Sequence, residues 1–151
     1  MQPLAYQIKE IKKELLSHSV SYKLTNEIGW RRIAVFDGNN ANARFYISQI
    51  GYSFSALSLD IISLNGWEPL LKQVNYHYSN SINRFNKARI VYKGNQGGYL
   101  EIYNNYENNN NGNITIYIDN SNNIKLLQQE TIVTKIPDGY SAKEINLNYN
   151  S

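Results

Sequence analysis

The chain has few side chains that could carry acid–base, nucleophilic or metal chemistry. Its two histidines, His18 and His77, lie far apart in the sequence, and it has no cysteine. Because a metal site needs three or four converging ligands, this composition does not indicate one. His77 lies in a tyrosine-rich stretch and is expected on a strand face near solvent. No Gly-x-Ser-x-Gly elbow marks a serine nucleophile. We therefore expect no metal and no cofactor.

The acidic residues and glycines do not indicate an enzyme either. Glycoside hydrolysis needs two carboxyl groups that face each other across a groove, whereas the 12 acids of this chain are dispersed. Of these, Glu68, Glu101, Glu107 and Asp119 lie in or near its tyrosine-rich part. The glycines at 94, 97 and 98 are not followed by the Lys-Ser/Thr pair and helix of a phosphate loop. They predict a hairpin turn, and we expect no catalytic residues.

The tyrosines are the residues best suited to bind a ligand. Aromatic rings can cover the apolar faces of sugars while asparagine amides bond the hydroxyls. Tyrosines also pack at chain–chain interfaces and sheet rims, where one end is dry and the other wet, and the sequence leaves both interpretations open. Strand alternation predicts a ligand surface opposite the Ile and Leu side chains, formed by Tyr76, Tyr78, Tyr99, Tyr103 and Tyr117.

Charge and hydropathy exclude several classes of partner. The formal net charge is only +3, and Lys and Arg are scattered rather than arranged on one face, so nucleic-acid binding is not indicated. The local basic run, which comprises Arg84, Lys87, Arg89 and Lys93, is expected to be a solvated strand face. No 18-residue apolar run predicts a membrane span. A signal peptide would have an apolar stretch within the first 19 residues, but this segment contains five charged residues there. If the protein acts outside a cell, we therefore expect it to leave by another route, such as lysis.

These side chains must be positioned mainly by β-strands. The chain contains 23 Asn, 18 Ile and 13 Tyr, a composition that favours strands joined by Asn-rich turns. Short alternating segments recur every 8–12 residues, as in an antiparallel β-sandwich or jelly roll. We predict a β-sandwich head at 29–151, with a bulge near Ala56, after an N-terminal helix and polar connector at 1–28. Strands are predicted from residue 30 and at 43–51, 54–64, 67–78, 88–92, 99–106, 114–119, 124–135 and 145–149.

The N-terminal segment has the spacing of a coiled coil. Leu4, Ile8, Ile11 and Leu15 follow one another at steps of four, three and four, and polar residues lie between them. Two heptads are marginal as an isolated helix in water, so the apolar side needs a partner surface. The helix either docks on its own domain or forms a short parallel coiled coil between identical chains. Ile at successive a and d positions favours three strands over two.

Four segments carry a resemblance to a known family. They read Gly-Trp-Arg-Arg-Ile-Ala at 29–34, Lys-Ala-Arg-Ile-Val-Tyr at 87–92, Gly-Tyr-Leu-Glu-Ile-Tyr at 98–103 and Ile-Pro-Asp-Gly-Tyr at 136–140. Taken in order, they resemble a β domain found at the ends of tail fibres, neck appendages and head fibres of bacteriophages that infect gut bacteria. The first segment in that family usually reads Gly-Trp-Tyr-Arg-Ile-Ala, so Arg31 departs from it. The resemblance covers the chain from Trp30 onward.

The resemblance implies a virion fibre protein, commonly trimeric, whose β domain is displayed outward. A short chain with a helix first looks more like a small head fibre or capsid decoration than a full tail fibre. Its N-terminal helices would attach the homotrimer to a capsid or neck protein, and three copies of a weak site for host or mucosal glycans would act together. The alternatives are a receptor-binding module of a tail fibre or neck appendage and a cell-surface carbohydrate-binding module.

Overall fold

The structure is a computed structural model. Within the residues that it describes, the chain forms ten β-strands. The described residues are 3–7, 18–37, 40–51, 53–64, 68–94, 96–107 and 112–150. The strands are β1 (Ser19–Lys23), β2 (Gly29–Phe36), β3 (Ala41–Ile50), β4 (Phe54–Ser63), β5 (Leu70–Tyr78), β6 (Phe85–Tyr92), β7 (Gly98–Asn104), β8 (Asn113–Asn122), β9 (Ile124–Val133) and β10 (Ser141–Asn146).

The strands form two five-stranded sheets. Sheet A has the order β1-β8-β3-β4-β5 and sheet B the order β10-β6-β7-β2-β9. Every recorded pairing within them is antiparallel. The inward side chains of both sheets meet in one hydrophobic core. The prediction of a mainly β, antiparallel, sandwich-like fold is confirmed.

Strand alternation places the core residues. In β8, Ile114, Ile116 and Ile118 are buried while Thr115 and Tyr117 are exposed, as the alternating sequence predicts. In β3, Phe45 and Ile47 point inward in the same way. Strand alternation thus gives one apolar face to the core and turns the other face outward. The outward faces of the two sheets are therefore the surfaces on which a site can be built.

The predicted hairpin connection between β6 and β7 also forms. Tyr92 of β6 lies opposite Gly98 of β7, and the Lys93 amide donates to the Gly97 carbonyl. A Cβ on Gly98 would lie 2.1 Å from the Val91 carbonyl oxygen, so a side chain has no room there. Glycine at this position thus allows the tight connection between β6 and β7.

The bulge in the third predicted strand was assigned to the wrong place. The pairing of β3 with β4 is unbroken from Ala41↔Ser63 to Ile50↔Phe54, and Ala56 simply faces outward. The irregularity lies instead between β4 and β5, where Ser58 pairs with Asn75 but Leu59 pairs with Gln73. Val74 is therefore an extra residue in β5. After it, the alternation of inward and outward side chains along β5 is reversed.

The N-terminal prediction needs correction on two points. The sandwich begins at Ser19 rather than Gly29, because β1, predicted as part of a polar connector, pairs with β8 through Val20↔Ile116. The described helical segment covers only residues 4–7 and gives no support to a coiled-coil stalk. Leu4 in it is 71% exposed, whereas the other predicted seam residues, Ile8, Ile11 and Leu15, lie outside the described residues. Among the described helical residues there is no segment long and apolar enough to cross a membrane.

Candidate functional site

The outer face of sheet B carries a cluster of cations and aromatic rings, here called the cation–aromatic cluster. The register places Arg32, Glu101 and Arg89 in one cross-strand row over β2, β7 and β6. The neighbouring row contains Trp30, Tyr103 and Lys87, and Tyr99 follows Glu101 on the other side along β7. Directly opposed residues share a face of a sheet, so these seven side chains form one surface.

Glu101 is the centre of this cluster. Its side chain is fully buried although it points away from the core. The Arg32 Nε donates to Glu101 Oε2 at 3.0 Å, and the Arg89 Nε donates to Oε1 at 2.8 Å. A buried carboxylate is tolerated when charged donors satisfy its oxygens. The two guanidiniums are thereby committed to a structural ion network.

The rings of the cluster are covered by the cations. Arg32 Cζ lies 3.6 Å from the Tyr99 ring centroid, Arg89 Cζ lies 3.9 Å from that of Trp30, and Lys87 Nζ lies 4.2 Å from that of Tyr103. Such contacts are favourable cation–π interactions, and each occupies one ring face. Tyr99 and Tyr103 do lie on the outer face as predicted, but part of their stacking surface is already used.

The prediction that the local basic run forms a solvated strand face was wrong for two of its members. Arg84 is fully buried, and Arg89 is only 8% exposed. Arg89 is covered because its guanidinium lies between the Glu101 carboxylate and the Trp30 ring. Arg84 lies below the Tyr106 ring, with its Cζ 4.9 Å from the centroid. Packing on aromatic rings removes these side chains from water despite their charge.

The outer face of sheet A carries a different surface, a shallow groove of about 300 Å³. Four adjacent strands supply its outward side chains. One cross-strand row contains Tyr117, Tyr46, Ser58 and Asn75, and the next contains Thr115, Ser48, Ala56 and His77. These eight side chains define the sheet A groove.

Aromatic rings stand on both sides of the groove. Tyr46 and Tyr117, each 43% exposed, lie side by side with ring centroids 6.1 Å apart and ring planes tilted by 38°. On the β5 side, the Tyr149 ring meets His77 edge-on at 5.2 Å. The floor between these walls is low because Ser48, Ala56 and Ser58 are small.

The groove is polar but uncharged. The structure records no hydrogen bond within the described part of the chain for the side chains of Ser48, Ser58, Asn75 and His77. The adjacent cross-strand row carries the charges: Arg44 and Asp60 pair through bonds of 2.7 and 2.9 Å, and Asp119 and Lys72 lie at its two ends. The hydrogen bonds from Arg44 lower the pKa of the Asp60 carboxyl, so this pair remains ionised at neutral pH.

The structure separates the five tyrosines of the predicted ligand surface. Tyr117 lines the sheet A groove, and Tyr99 and Tyr103 belong to the cation–aromatic cluster on the opposite face of the molecule. The outward placement of Tyr76 was wrong, since its side chain is fully buried in the core. The extra residue Val74 turns Tyr76 to the same side as Leu71. For the same reason Tyr78 is partly buried and packs against the core.

Several residues of the groove were not identified from the sequence. Tyr46 lies between Arg44 and Ser48 on the outward positions of β3, so alternation alone could have placed it outside. Its neighbour Tyr117 is 71 positions further along the chain, and only the β3–β8 register brings the two rings together. Asn75 and His77 face outward because of the bulge at Val74, which the sequence did not locate.

Comparisons of the chain with protein families, with curated proteins and with solved structures found no match. Within the described residues, no group of three or more His, Asp or Glu side chains is placed to hold a metal ion. The candidate site therefore has to be argued from its own geometry.

Proposed function

We propose that the chain is a structural protein of a bacteriophage particle. It acts as a short trimeric head fibre or capsid decoration on the virion exterior, and its jelly-roll-like β-sandwich adheres weakly to host or mucosal glycans. The N-terminal segment attaches it to a capsid or neck protein. The role requires neither catalysis nor a cofactor.

The observation that carries this proposal is the convergence of the four segments that resemble phage fibre domains. The segments at 29–34, 87–92 and 98–103 lie in β2, β6 and β7, which are neighbours in the order β6-β7-β2. The fourth segment joins them because Tyr140 stacks on Tyr99, with ring centroids 5.9 Å apart. Segments far apart in the sequence therefore build one surface, the cation–aromatic cluster and its margin. Such a convergence is expected if the resemblance reflects a shared fold.

Two features favour assembly through the N-terminal segment. Leu4 is largely exposed in the single chain, and the spacing of Leu4, Ile8, Ile11 and Leu15 repeats an apolar side every three or four residues. Burial of this side among three chains removes apolar surface from water, which favours association. A trimer would present three copies of a weak surface site.

Light scattering of the purified chain tests the assembly. We expect a mass near three chains, and the double substitution of Ile8→Asp and Ile11→Asp should reduce it to one while the β circular dichroism remains. Lys9→Asp, which introduces the same side chain off the apolar seam, is the matched control and should leave the mass unchanged. A wild-type chain that runs as a uniform monomer would contradict the trimer.

The alternative, a carbohydrate-binding module or the receptor-binding module of a tail fibre or neck appendage, is favoured by one observation. The sheet A groove has exposed rings and hydrogen-bonding groups without recorded partners in the described chain, as a ligand site requires. Antibody labelling of purified particles distinguishes these roles. Labels over the capsid favour the head fibre, labels at the tail or neck favour the receptor-binding module, and the absence of labels would contradict both virion roles.

A further inference from the structure

We propose that the sheet A groove binds an uncharged saccharide. Tyr46 and Tyr117 would stack on sugar rings, and Asn75, His77 and Ser48 would hydrogen-bond sugar hydroxyls. This inference rests on the adhesive role proposed above, and it adds the site and the chemical class of the ligand.

The shape of the groove suits a ring-shaped polar ligand. Neighbouring strands lie about 4.8 Å apart, so the β3 wall at Tyr46 and the β5 wall at Asn75 and His77 are roughly 10 Å apart. Between them β4 presents only Ala56 and Ser58. The volume of about 300 Å³ lies at the lower end of the range for small-ligand sites, roughly 300–1,000 Å³.

The chemistry of the lining favours a neutral, hydroxyl-rich ligand. Hydroxyl groups of Ser48, Ser58 and Thr115, the amide of Asn75 and the imidazole of His77 can both donate and accept hydrogen bonds. None of the eight side chains that define the groove is a carboxylate, an ammonium or a guanidinium. The adjacent row holds two cations, Arg44 and Lys72, and two anions, Asp60 and Asp119, so it offers an acidic saccharide no net countercharge.

The cation–aromatic cluster is less suited to the same ligand. Its rings carry Arg32, Arg89 and Lys87 on their faces, and a sugar would have to displace a cation to stack there. The rings of Tyr46 and Tyr117 have no such cation–π contact recorded in the described chain and are both substantially exposed. Among the described residues of the two outer faces, the sheet A groove therefore offers exposed aromatic rings without cation contacts beside polar groups without recorded partners.

A second copy of the chain is a less suitable occupant. Cores of protein–protein interfaces are depleted in serine and alanine, whereas the floor of this groove consists of Ser48, Ala56 and Ser58. A flat partner surface would also leave the space above these small side chains unfilled. A ligand that enters between the walls fills that space and meets the hydroxyl groups at the bottom.

The test begins with a glycan array that contains neutral oligosaccharides and their sialylated counterparts, probed with the full-length chain. The best neutral member is then titrated into ¹⁵N-labelled chain and followed by NMR. We expect preference for the neutral members and shift changes confined to β3, β4, β5 and β8. Tyr46→Ala and Tyr117→Ala should each weaken binding by about two- to tenfold, the range expected for loss of one favourable ring contact.

Two further variants separate ligand binding from folding. Ala56→Gln fills the floor of the groove from an exposed position and removes no existing contact, so it should also weaken binding. Tyr140→Ala removes a tyrosine on the opposite side of the molecule, where it stacks on Tyr99 of sheet B, and should leave binding unchanged. Circular dichroism and light scattering on every variant verify that the fold and the mass are retained.

The following results would overturn the inference. They are an array without any binding, binding of sialylated members alone, shift changes on sheet B, or an affinity that Tyr46→Ala, Tyr117→Ala and Ala56→Gln all leave unchanged. A change in mass for Tyr46→Ala or Tyr117→Ala would assign the groove to a contact between chains. The virion role is unaffected by these outcomes, because particle labelling and the mass of the wild-type chain test it separately.

Discussion

Replacement of Tyr76 by Phe is the sharpest test of the core, because it removes a single oxygen atom from a fully buried side chain. The Tyr76 hydroxyl donates to Asn83 Oδ1 at 2.8 Å and accepts from the Phe85 amide at 3.0 Å. Asn83 in turn donates to the Leu147 carbonyl. This hydroxyl therefore ties β5 to the start of β6 and to the C-terminal segment.

The expected loss of stability at neutral pH follows from the two partners left behind. Tyr76→Phe leaves a buried amide N–H and a part-buried carbonyl oxygen without their hydrogen bond. An unsatisfied buried polar group costs about 1–3 kcal/mol. We expect the free energy of unfolding to fall by about 2 kcal/mol, which for a domain of this size lowers Tm by roughly 4–8 °C.

The alkaline behaviour supplies a second, independent readout. Burial raises the pKa of Tyr76 from 10.0 to about 12, so the folded state retains its proton longer than the unfolded state. The stabilisation is complete below pH 10 and is lost as the pH rises from 10 to 12, by about 3 kcal/mol for two pKa units. The Phe variant lacks this loss, so its disadvantage should shrink above pH 10. Burial also raises the pKa of Tyr22 to about 12, so some alkaline sensitivity remains in the variant.

Urea unfolding followed by far-UV circular dichroism at pH 7, 10 and 11.5 measures both effects. Tyr149→Phe is the matched control, since Tyr149 is 49% exposed, and it should behave as wild type at each pH. A Tyr76→Phe variant as stable as wild type at pH 7 would refute the hydrogen-bond argument. A constant stability difference across the three pH values would refute the assignment of the raised pKa.

Three further substitutions test the ion pairs by urea unfolding. Glu101→Ala leaves two guanidiniums without their carboxylate and should cost about 3–5 kcal/mol; a loss below 1 kcal/mol would contradict the buried network. Glu130→Ala should cost less, about 1–3 kcal/mol, because the Arg31 guanidinium, 1% exposed, donates to Glu130 at 2.6 Å but also donates to the Thr25 hydroxyl and the Glu27 carbonyl; an unchanged stability would contradict the contribution of this ion pair. Asp60→Asn should change stability by less than about 1 kcal/mol, because its pair with Arg44 is exposed, and a larger loss would contradict that view.

Local alternation predicted much of the fold. The regular Ile and Thr/Tyr pattern of β8 and the Gly-rich hairpin between β6 and β7 are encoded within a few residues of sequence. β1 was missed because its short, serine-containing sequence looks like a connector. It becomes a strand only through its pairing with β8, and Val20 is then buried against the core.

The candidate site was less predictable because it depends on register. One extra residue at Val74 exchanges the two faces of β5, which buries Tyr76 and brings Asn75 and His77 to the surface. The pairing of Tyr46 with Tyr117 depends on a contact between strands distant in sequence. The burial of Glu101 could be predicted only by knowing that an arginine lies on each side of it in the sheet. Residue types could suggest a tyrosine surface, but they could not specify its members.

A cryo-electron microscopy reconstruction of the phage particle that we propose carries this chain tests the central claim most directly. The account predicts threefold-related copies of the sandwich outside the capsid, attached through their N-terminal segments, with the sheet A groove open to solvent. A chain inside the particle, or a groove covered by a neighbouring protein in every copy, would contradict it.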